Sequence, residues 1–172
     1  MNIIFICPSN IRFMPYISYY ENQIDYNTNK KYIIWDRFSS EEKSLNKMIY
    51  KDRISGHKRG ILSYIKYMYF VYSNLLSFKA KDNRILVFGF QTTFFLFPYL
   101  LLTKKNYVID IRDYHYLFKI TPKFIFEKAE FVVCSSPEYC ELFSKNTVSI
   151  VCHNLYEYGF NLDDSFNYIK DP

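Results

Sequence analysis

The hydrophobic residues of this chain fall into short runs that are separated by longer mixed segments. Most of the runs are continuously apolar instead of alternating with polar residues, which is typical of parallel strands covered on both faces. The order of strands and intervening helices predicts one domain with a doubly wound, mostly parallel, Rossmann-like α/β sheet. The predicted strands are residues 2–7, 32–36, 85–90, 107–111, 131–134 and 148–152, and the predicted helices are 14–26, 41–50, 60–78, 92–104, 122–128 and 137–144.

The length of 172 residues and the hydrophobic content of 49% suffice for one domain with a full core. With 18 tyrosines and 17 phenylalanines, we expect that core to be built largely from aromatic rings. Residues 1–155 are predicted to form the domain. The periodicity is lost after that, so we expect residues 156–172 to be a linker towards a further domain.

The longest uncharged stretch, residues 85–103, has the length of a membrane span. Gly89 and Gln91 interrupt it and Pro98 follows, which favours a strand, a turn and a buried helix. The chain has no basic region before its first apolar run, and Pro8 ends that run. We therefore expect no signal peptide and a cytoplasmic location.

The four cysteines, Cys7, Cys134, Cys140 and Cys152, lie in apolar runs without the spacing of a zinc site. They are expected to be reduced core residues. No glycine-rich dinucleotide motif follows the first strand, so neither a metal nor a bound cofactor is expected. A catalytic pair of a cysteine and a histidine stays open, because such partners meet in space and not in sequence.

Residues 107–115, YVIDIRDYH, place four ionisable groups at the end of a predicted buried strand. Ligands of open parallel sheets bind beyond the carboxyl ends of the strands, near the point where strand order reverses. We therefore expect Asp110, Arg112, Asp113 and His115 to emerge together into an open groove. Asp110 and Arg112 alternate onto the same face of the strand, where they can pair.

A purely structural role for these residues is equally compatible with the sequence. Asp110 and Arg112 would then form an ion pair that holds the loop, Asp113 would cap a turn, and His115 would lie exposed between two tyrosines. The sequence alone leaves both interpretations open, since burying such groups is costly without a compensating purpose.

Several segments, taken in order, resemble the N-terminal half of a GT-B glycosyltransferase of the large group 1, family 4-like set. They are the first strand, VIDIRD, FIFEKAEFVVCSSPEYCELF and VSIVCHNL, and the resemblance covers about residues 1–155. In that family a strand ending in a pair such as Arg-Asp faces the interdomain cleft. A helix and a strand that ends in serines follow it, and then a strand that ends near an asparagine. The matching positions here are Arg112 and Asp113, Ala129 and Glu130, Ser135 and Ser136, and Asn154.

The resemblance implies an acceptor-binding domain, with the nucleotide-sugar held as co-substrate by a C-terminal domain. It implies transfer of the sugar to a lipid-linked or oligosaccharide acceptor in surface polysaccharide synthesis. Asp113 or His115 would deprotonate the acceptor hydroxyl in an inverting enzyme. In a retaining enzyme the same region would position the substrate and stabilise charge. Without the donor domain the chain is expected to be inactive.

The loop after the first strand reads CPSNIRFMPYISYY and lacks the paired glycines that many relatives of this kind carry there. Close backbone contact with a phosphate is therefore not expected at this loop. Its side chains remain candidates to reach a ligand. The candidate substrate-binding residues of the whole chain are Arg112, Asp110, Asn10, Arg12 and Asn154.

The positive charge is concentrated between residues 51 and 84, which contain eight basic residues and two acidic residues, Asp52 and Asp82. One stripe of the helix predicted there contains Ile61, Ile65, Met68, Tyr72 and Leu75, and the opposite stripe contains Arg59, Ser63, Lys66, Ser73, Ser77 and Phe70. An aromatic ring amid basic residues fits anionic lipid headgroups, although a solvated surface helix has the same pattern. The candidate membrane contacts, at the inner membrane face, are Lys58, Arg59, Lys66 and Phe70.

The remaining alternative is a stand-alone, non-catalytic α/β binding module that docks a membrane surface or a partner protein. Nucleic acid is not an expected partner, because no nucleic-acid-binding motif is present and the isoelectric point of about 8.9 is below the usual range for such domains.

Overall fold

The computed structural model describes residues 2–52, 56, 58, 60–78, 83–103 and 106–152. Within these residues the chain forms seven strands and five α-helices, which alternate except that β3 follows β2 without a helix between them. The strands are β1 (Asn2–Cys7), β2 (Asn29–Asp36), β3 (Lys47–Lys51), β4 (Asn83–Phe88), β5 (Tyr107–Ile111), β6 (Phe131–Cys134) and β7 (Ser149–Val151). The helices are α1 (Ile17–Gln23), α2 (Ile61–Ser77), α3 (Phe90–Thr103), α4 (Phe124–Glu127) and α5 (Pro137–Cys140).

All seven strands belong to one sheet in the order β3-β2-β1-β4-β5-β6-β7, and every neighbouring pair is parallel. The chain adds β2 and β3 on one side of β1 and then crosses to add β4 on the other side. Strand order therefore reverses between β1 and β4, which is where open α/β sheets form a ligand-binding crevice. The predicted doubly wound parallel fold is confirmed.

Helices cover both faces of the sheet, as continuous apolar strands require. On one face α2 and α3 pack against Ile4, Ile33, Trp35 and other strand residues. On the opposite face α1 packs through Ile17 against strand residues that include Phe5. Both cores are aromatic: Trp35 stacks on Tyr67 with ring centroids 4.8 Å apart.

The predicted helix over residues 41–50 is wrong, because residues Lys47–Lys51 form the edge strand β3. This strand pairs with β2 and brings Tyr50 beside Trp35, with ring centroids 6.3 Å apart. The main-chain hydrogen bonds of β2 and this aromatic contact outweigh the weak local preference for a helix. No signal within the segment itself revealed the pairing partner.

The uncharged stretch over residues 85–103 divides as predicted into a strand, a turn and a helix. Pro98 lies inside α3 without ending the helix. Among the described residues no helix is long and apolar enough to cross a membrane.

The buried stripe of α2 differs from the predicted one. The residues that face the sheet are Tyr64, Tyr67, Met68, Val71 and Leu75. Ile61 and Ile65 lie exposed, whereas Phe70 is half-buried and packs against Tyr50 with ring centroids 5.6 Å apart. Phe70 therefore packs against the edge of the core, and its predicted contact with a membrane stays a prediction. Tyr64 and Tyr67 face inward, where their hydroxyls find partners: that of Tyr67 donates to the carbonyl of Cys7 at 2.9 Å.

Candidate active site

An open cleft of about 210 Å³ lies at the carboxyl edge of the sheet, beside the point where strand order reverses. Its walls come from the end of β4 and from the segments that follow β1, β2, β4 and β5, together with Tyr16, which directly precedes α1, and Tyr64 of α2. The lining residues are Pro8, Ser9, Tyr16, Arg37, Tyr64, Phe88, Gly89, Phe90, Gln91, Thr92, Arg112, Asp113, Tyr114 and His115. The cleft thus lies where the sheet topology predicts a ligand site.

Gly89 makes the sharp turn from β4 into α3 at the floor of the cleft. Its φ of +83° lies in the left-handed region, which glycine adopts without strain. Its backbone N–H donates to the carbonyl of Asp110 at 2.7 Å, which ties the turn to β5. The first turn of α3, with Gln91 and Thr92, therefore faces the cleft.

Asp110 and Arg112 form a buried, two-pronged ion pair. The guanidinium Nε and Nη2 of Arg112 lie 2.6 and 2.7 Å from the two carboxylate oxygens of Asp110. The hydroxyl of Tyr20 donates to the same carboxylate at 2.5 Å, and Nη1 of Arg112 donates to the carbonyl of Cys152 at 2.7 Å. Asp110 has no exposed surface, and both of its oxygens are engaged.

The surroundings of the pair act on both charges. Burial raises the pKa of Asp110, and the hydrogen bonds from Arg112 and Tyr20 oppose that rise. Burial disfavours the charged guanidinium as well, but the hydrogen bonds and charge of Asp110 outweigh it and raise the pKa of Arg112. Because one attraction stabilises both charged forms, we take the pair to be ionised. The guanidinium also lies over the ring of Tyr16, 4.6 Å from its centroid.

The predicted pairing of Asp110 with Arg112 is therefore confirmed. The two residues differ in their access to a ligand. Asp110 does not line the cleft, so its assignment as a substrate-binding residue is corrected to that of a positioning residue. Arg112 lines the cleft with 8% of its surface exposed. The four ionisable groups do not emerge together, since Asp110 is fully buried while Arg112, Asp113 and His115 line the cleft.

Asp113 follows the ion pair and is exposed at the cleft. It is the carboxylate of the cleft lining, and among the described residues it has no hydrogen-bond or ion-pair partner. It does not cap a turn, which leaves its oxygens accessible to a ligand.

His115 lines the cleft and also caps the short 3-10 helix Tyr116–Lys119. Its Nδ1 accepts a hydrogen bond from the backbone N–H of Leu117 at 3.2 Å, so in the neutral ring the proton resides on Nε2. The amide nitrogen of Gln91 is placed 2.8 Å from Nε2. Because Nδ1 already accepts a hydrogen bond and a neutral ring has one acceptor, we assign the Gln91 amide the rotated orientation, in which its oxygen accepts from Nε2–H. Burial lowers the pKa of His115, which favours this neutral form.

Neither Asn10 nor Arg12 reaches the cleft. Asn10 is fully buried, where it donates to Asp36 at 2.6 Å and accepts from the backbone N–H of Arg37 at 2.9 Å. It joins the loops that follow β1 and β2, and its predicted role in substrate binding is corrected accordingly. Arg12 is exposed and lies over the ring of Phe13.

Two predicted residues lie outside the described residues, namely Asn154 and Arg59. Among the described residues no group of three or more metal-ligating side chains comes together. Cys7 and Cys134 are buried, and burial raises the pKa of both thiols, as is typical of unreactive core cysteines.

Sequence reasoning missed several cleft residues, among them Gln91, Tyr64, Tyr16 and Arg37. Gln91 had a detectable signal, because it is a polar residue placed directly after a buried strand at the carboxyl edge of the sheet. The two tyrosines had none, since they are members of a large set of aromatic residues with core-like spacing.

Neither a protein-family model nor a curated protein matches this sequence. Two solved plant structures of the GT-B fold are similar. UGT89C1 of Arabidopsis thaliana, complexed with UDP, matches with a TM-score of 0.52 and 9% identity over 100% of this chain and 55% of its own. Apo UGT2 of Phytolacca americana matches with a TM-score of 0.49 and 8% identity over 100% of this chain and 56% of its own.

This chain therefore spans about half the length of the solved structures it matches. At such low identity the similarity shows the fold alone. The sheet and its helices have the Rossmann-type, doubly wound α/β architecture that about half of the Arabidopsis structure shares.

Removal of the guanidinium should destabilise the fold strongly. Arg112→Met leaves the buried carboxylate of Asp110 without its partner, for which we expect a loss of about 3–5 kcal/mol in the free energy of unfolding. Arg84→Met is the matched control, because Arg84 pairs with Glu130 at 2.9 Å in a partly exposed position, where the expected loss is about 0–1 kcal/mol. Urea unfolding followed by circular dichroism measures both, and equal losses would contradict a structural role for the buried pair.

The lowered pKa of His115 predicts how the stability of the fold depends on pH. Because the fold favours the neutral ring, the unfolded chain binds more protons just below its ordinary pKa of about 6.5. Stability should therefore rise with pH through that window and fall as the pH is lowered. His115→Asn, whose side chain can retain the cap, should flatten this dependence. Nitrogen NMR of the imidazole should show an Nε2–H tautomer and a lowered pKa, whereas an Nδ1–H tautomer would refute the assignment.

Proposed function

We propose that this chain is the acceptor-binding half of a glycosyltransferase. The enzyme would move a sugar from a nucleotide-sugar to a hydroxyl of a lipid-linked or oligosaccharide acceptor in surface polysaccharide synthesis. The nucleotide-sugar would be held largely by a second domain, as the resemblance of the sequence to GT-B enzymes implies. The Arabidopsis structure that shares this fold was solved with UDP, which supports a nucleotide-linked donor.

The observation that carries the proposal is the accessible carboxylate of Asp113 at the rim of the cleft. It follows β5 at the carboxyl edge of the sheet, next to the reversal of strand order, where a bound substrate would lie. Its neighbour Arg112 is anchored by the buried ion pair, so the loop leaves a rigid strand end. A catalytic group on a rigid element is held accurately enough to act on a bound hydroxyl.

We assign to Asp113 the role of general base for the acceptor hydroxyl. The carboxylate accepts the proton of the acceptor hydroxyl while the hydroxyl oxygen forms a bond to the anomeric carbon of the sugar. The bond between that carbon and the nucleoside diphosphate breaks at the same time, and the diphosphate leaves with the electron pair. His115 does not suit this task in its present arrangement, because its Nδ1 lone pair is engaged by the backbone N–H of Leu117 and its Nε2 carries the proton. His115 is better suited to donate a hydrogen bond from Nε2 and so to position the side chain of Gln91.

The remaining walls of the cleft suit a sugar or an apolar acceptor group. Aromatic side chains of Tyr16, Tyr64, Phe88, Phe90 and Tyr114 line it. Binding sites typically combine such apolar surface with a few polar groups that set the orientation of the ligand. Gln91 and Ser9 supply hydrogen-bonding groups in the same lining.

The proposed function is tested with the intact gene product and a panel of nucleotide-sugars. Asp113→Asn keeps the shape of the side chain but removes the base, so kcat/KM should fall by about 10²–10⁴-fold. Asp25→Asn, the same change at an exposed loop position beyond α1, should leave activity unchanged. The unfolding midpoint of each variant shows whether the fold is retained.

Two results would decide against the proposal in different ways. Full activity of Asp113→Asn would remove the assigned base while leaving sugar transfer intact. Failure of the intact product to transfer any sugar from the panel would contradict the function itself.

A further inference from the structure

The outward side of α2 exposes more large apolar side chains than any other described helix. The exposed fractions are 68% for Ile61, 70% for Leu62, 48% for Ile65, 77% for Tyr69 and 70% for Leu76. From Leu62 onward they follow one another at helical spacings of three, four and seven residues, and Ile61 directly precedes Leu62, so that all five lie on one side of the helix. A contiguous apolar surface of this kind marks an interaction site more often than scattered exposed hydrophobic residues do.

The part of the sequence that contains α2 carries basic residues without acidic ones. Between Asp52 and Asp82 the sequence contains six basic residues and no acidic one. The described members on or next to the helix, Lys58 and Lys66, are both exposed. Lys66 follows Ile65 directly, on the polar margin of the stripe that also carries Ser73 and Ser77.

We infer that the exposed stripe of α2 docks onto an anionic lipid bilayer. Leucine, isoleucine and tyrosine on one side of a helix, bordered by lysine and lacking carboxylates, match the composition of helices that lie in the membrane interface. The lysine side chain can extend its charge to the headgroups while its methylene groups stay on the apolar stripe. A protein partner would have to supply an apolar groove and carboxylates in a matching arrangement. An anionic bilayer supplies an apolar interior and anionic headgroups, and it does so however the helix is rotated in the plane of the membrane.

The first turn of the exposed stripe lies close to the cleft. Tyr64 lies on the first turn of α2, on the buried side of the helix, where it lines the cleft and hydrogen-bonds to Thr92 at 2.9 Å between the hydroxyl oxygens. Docking through Ile61, Leu62 and Ile65 would thus bring the cleft next to the bilayer surface. That a lipid-linked acceptor would enter the cleft from this bilayer rests on the proposed function, whereas the docking of α2 onto the bilayer does not.

Vesicle sedimentation tests the docking without any assay of transfer. The purified chain should bind vesicles of equal parts phosphatidylcholine and phosphatidylglycerol and bind pure phosphatidylcholine vesicles much more weakly. Ile65→Ser combined with Tyr69→Ser should lower the partition coefficient at least about tenfold, because two large apolar side chains are lost from the interface. Lys66→Gln should lower it about fivefold on the anionic vesicles only.

Tyr26→Ser is the matched control, since Tyr26 is 90% exposed but follows α1 on the other face of the sheet. It should leave vesicle binding unchanged, and the unfolding midpoints of all variants should stay close to that of the parent chain. The inference fails if the parent chain does not bind the anionic vesicles, or if Tyr26→Ser weakens binding as much as the α2 variants. It also fails if the α2 variants instead abolish a self-association seen by sedimentation velocity, which would show a second copy to be the occupant.

Discussion

The buried ion pair between Asp110 and Arg112 organises the carboxyl edge of this sheet. A carboxylate and a guanidinium without contact to water are stable only when their hydrogen-bonding capacity is met. The partners that meet it come from distant parts of the chain: the hydroxyl of Tyr20, the carbonyl of Cys152 and the ring of Tyr16. The pair thereby joins the end of β5 to α1 and to the segment that follows β7.

This arrangement determines which charged groups remain for a ligand. Since Asp110 and Arg112 neutralise each other inside the protein, Asp113 is the carboxylate that reaches the cleft. His115 is held by its contacts to a backbone N–H and to Gln91. Neighbouring residues thus differ in their surroundings: Asp110 and Arg112 hold the end of the strand, and Asp113 and His115 follow at the cleft.

The same division separates the two sides of α2. Tyr67 and Tyr64 turn inward because buried hydroxyls find partners there, at the carbonyl of Cys7 and at Thr92. Ile61 and Ile65 are consequently left outside, although aliphatic side chains are usually the first to be buried. In a chain so rich in aromatic residues, hydrophobicity alone does not identify the core face of a helix, because several faces are apolar.

Much of the architecture could be predicted from the sequence because it depends on local patterns. Continuous apolar runs identify strands covered on both faces, and their alternation with helices implies a parallel sheet with a binding edge. The strands over Asn2–Cys7, Tyr107–Ile111 and Phe131–Cys134 have the predicted bounds. The alternation of side chains along a strand likewise predicted that Asp110 and Arg112 can pair.

Other features were decided only by tertiary contacts. The edge strand Lys47–Lys51 exists because β2 lies beside it, and the inward turn of Asp110 depends on Tyr20, which lies 90 residues earlier in the chain. The proton position on His115 depends on the turn that it caps. The local sequence determines the hydrophobic periodicity of a helix or strand. Which of several apolar faces is buried, and which of several charged neighbours turns inward, depends on partners that only the folded chain brings together.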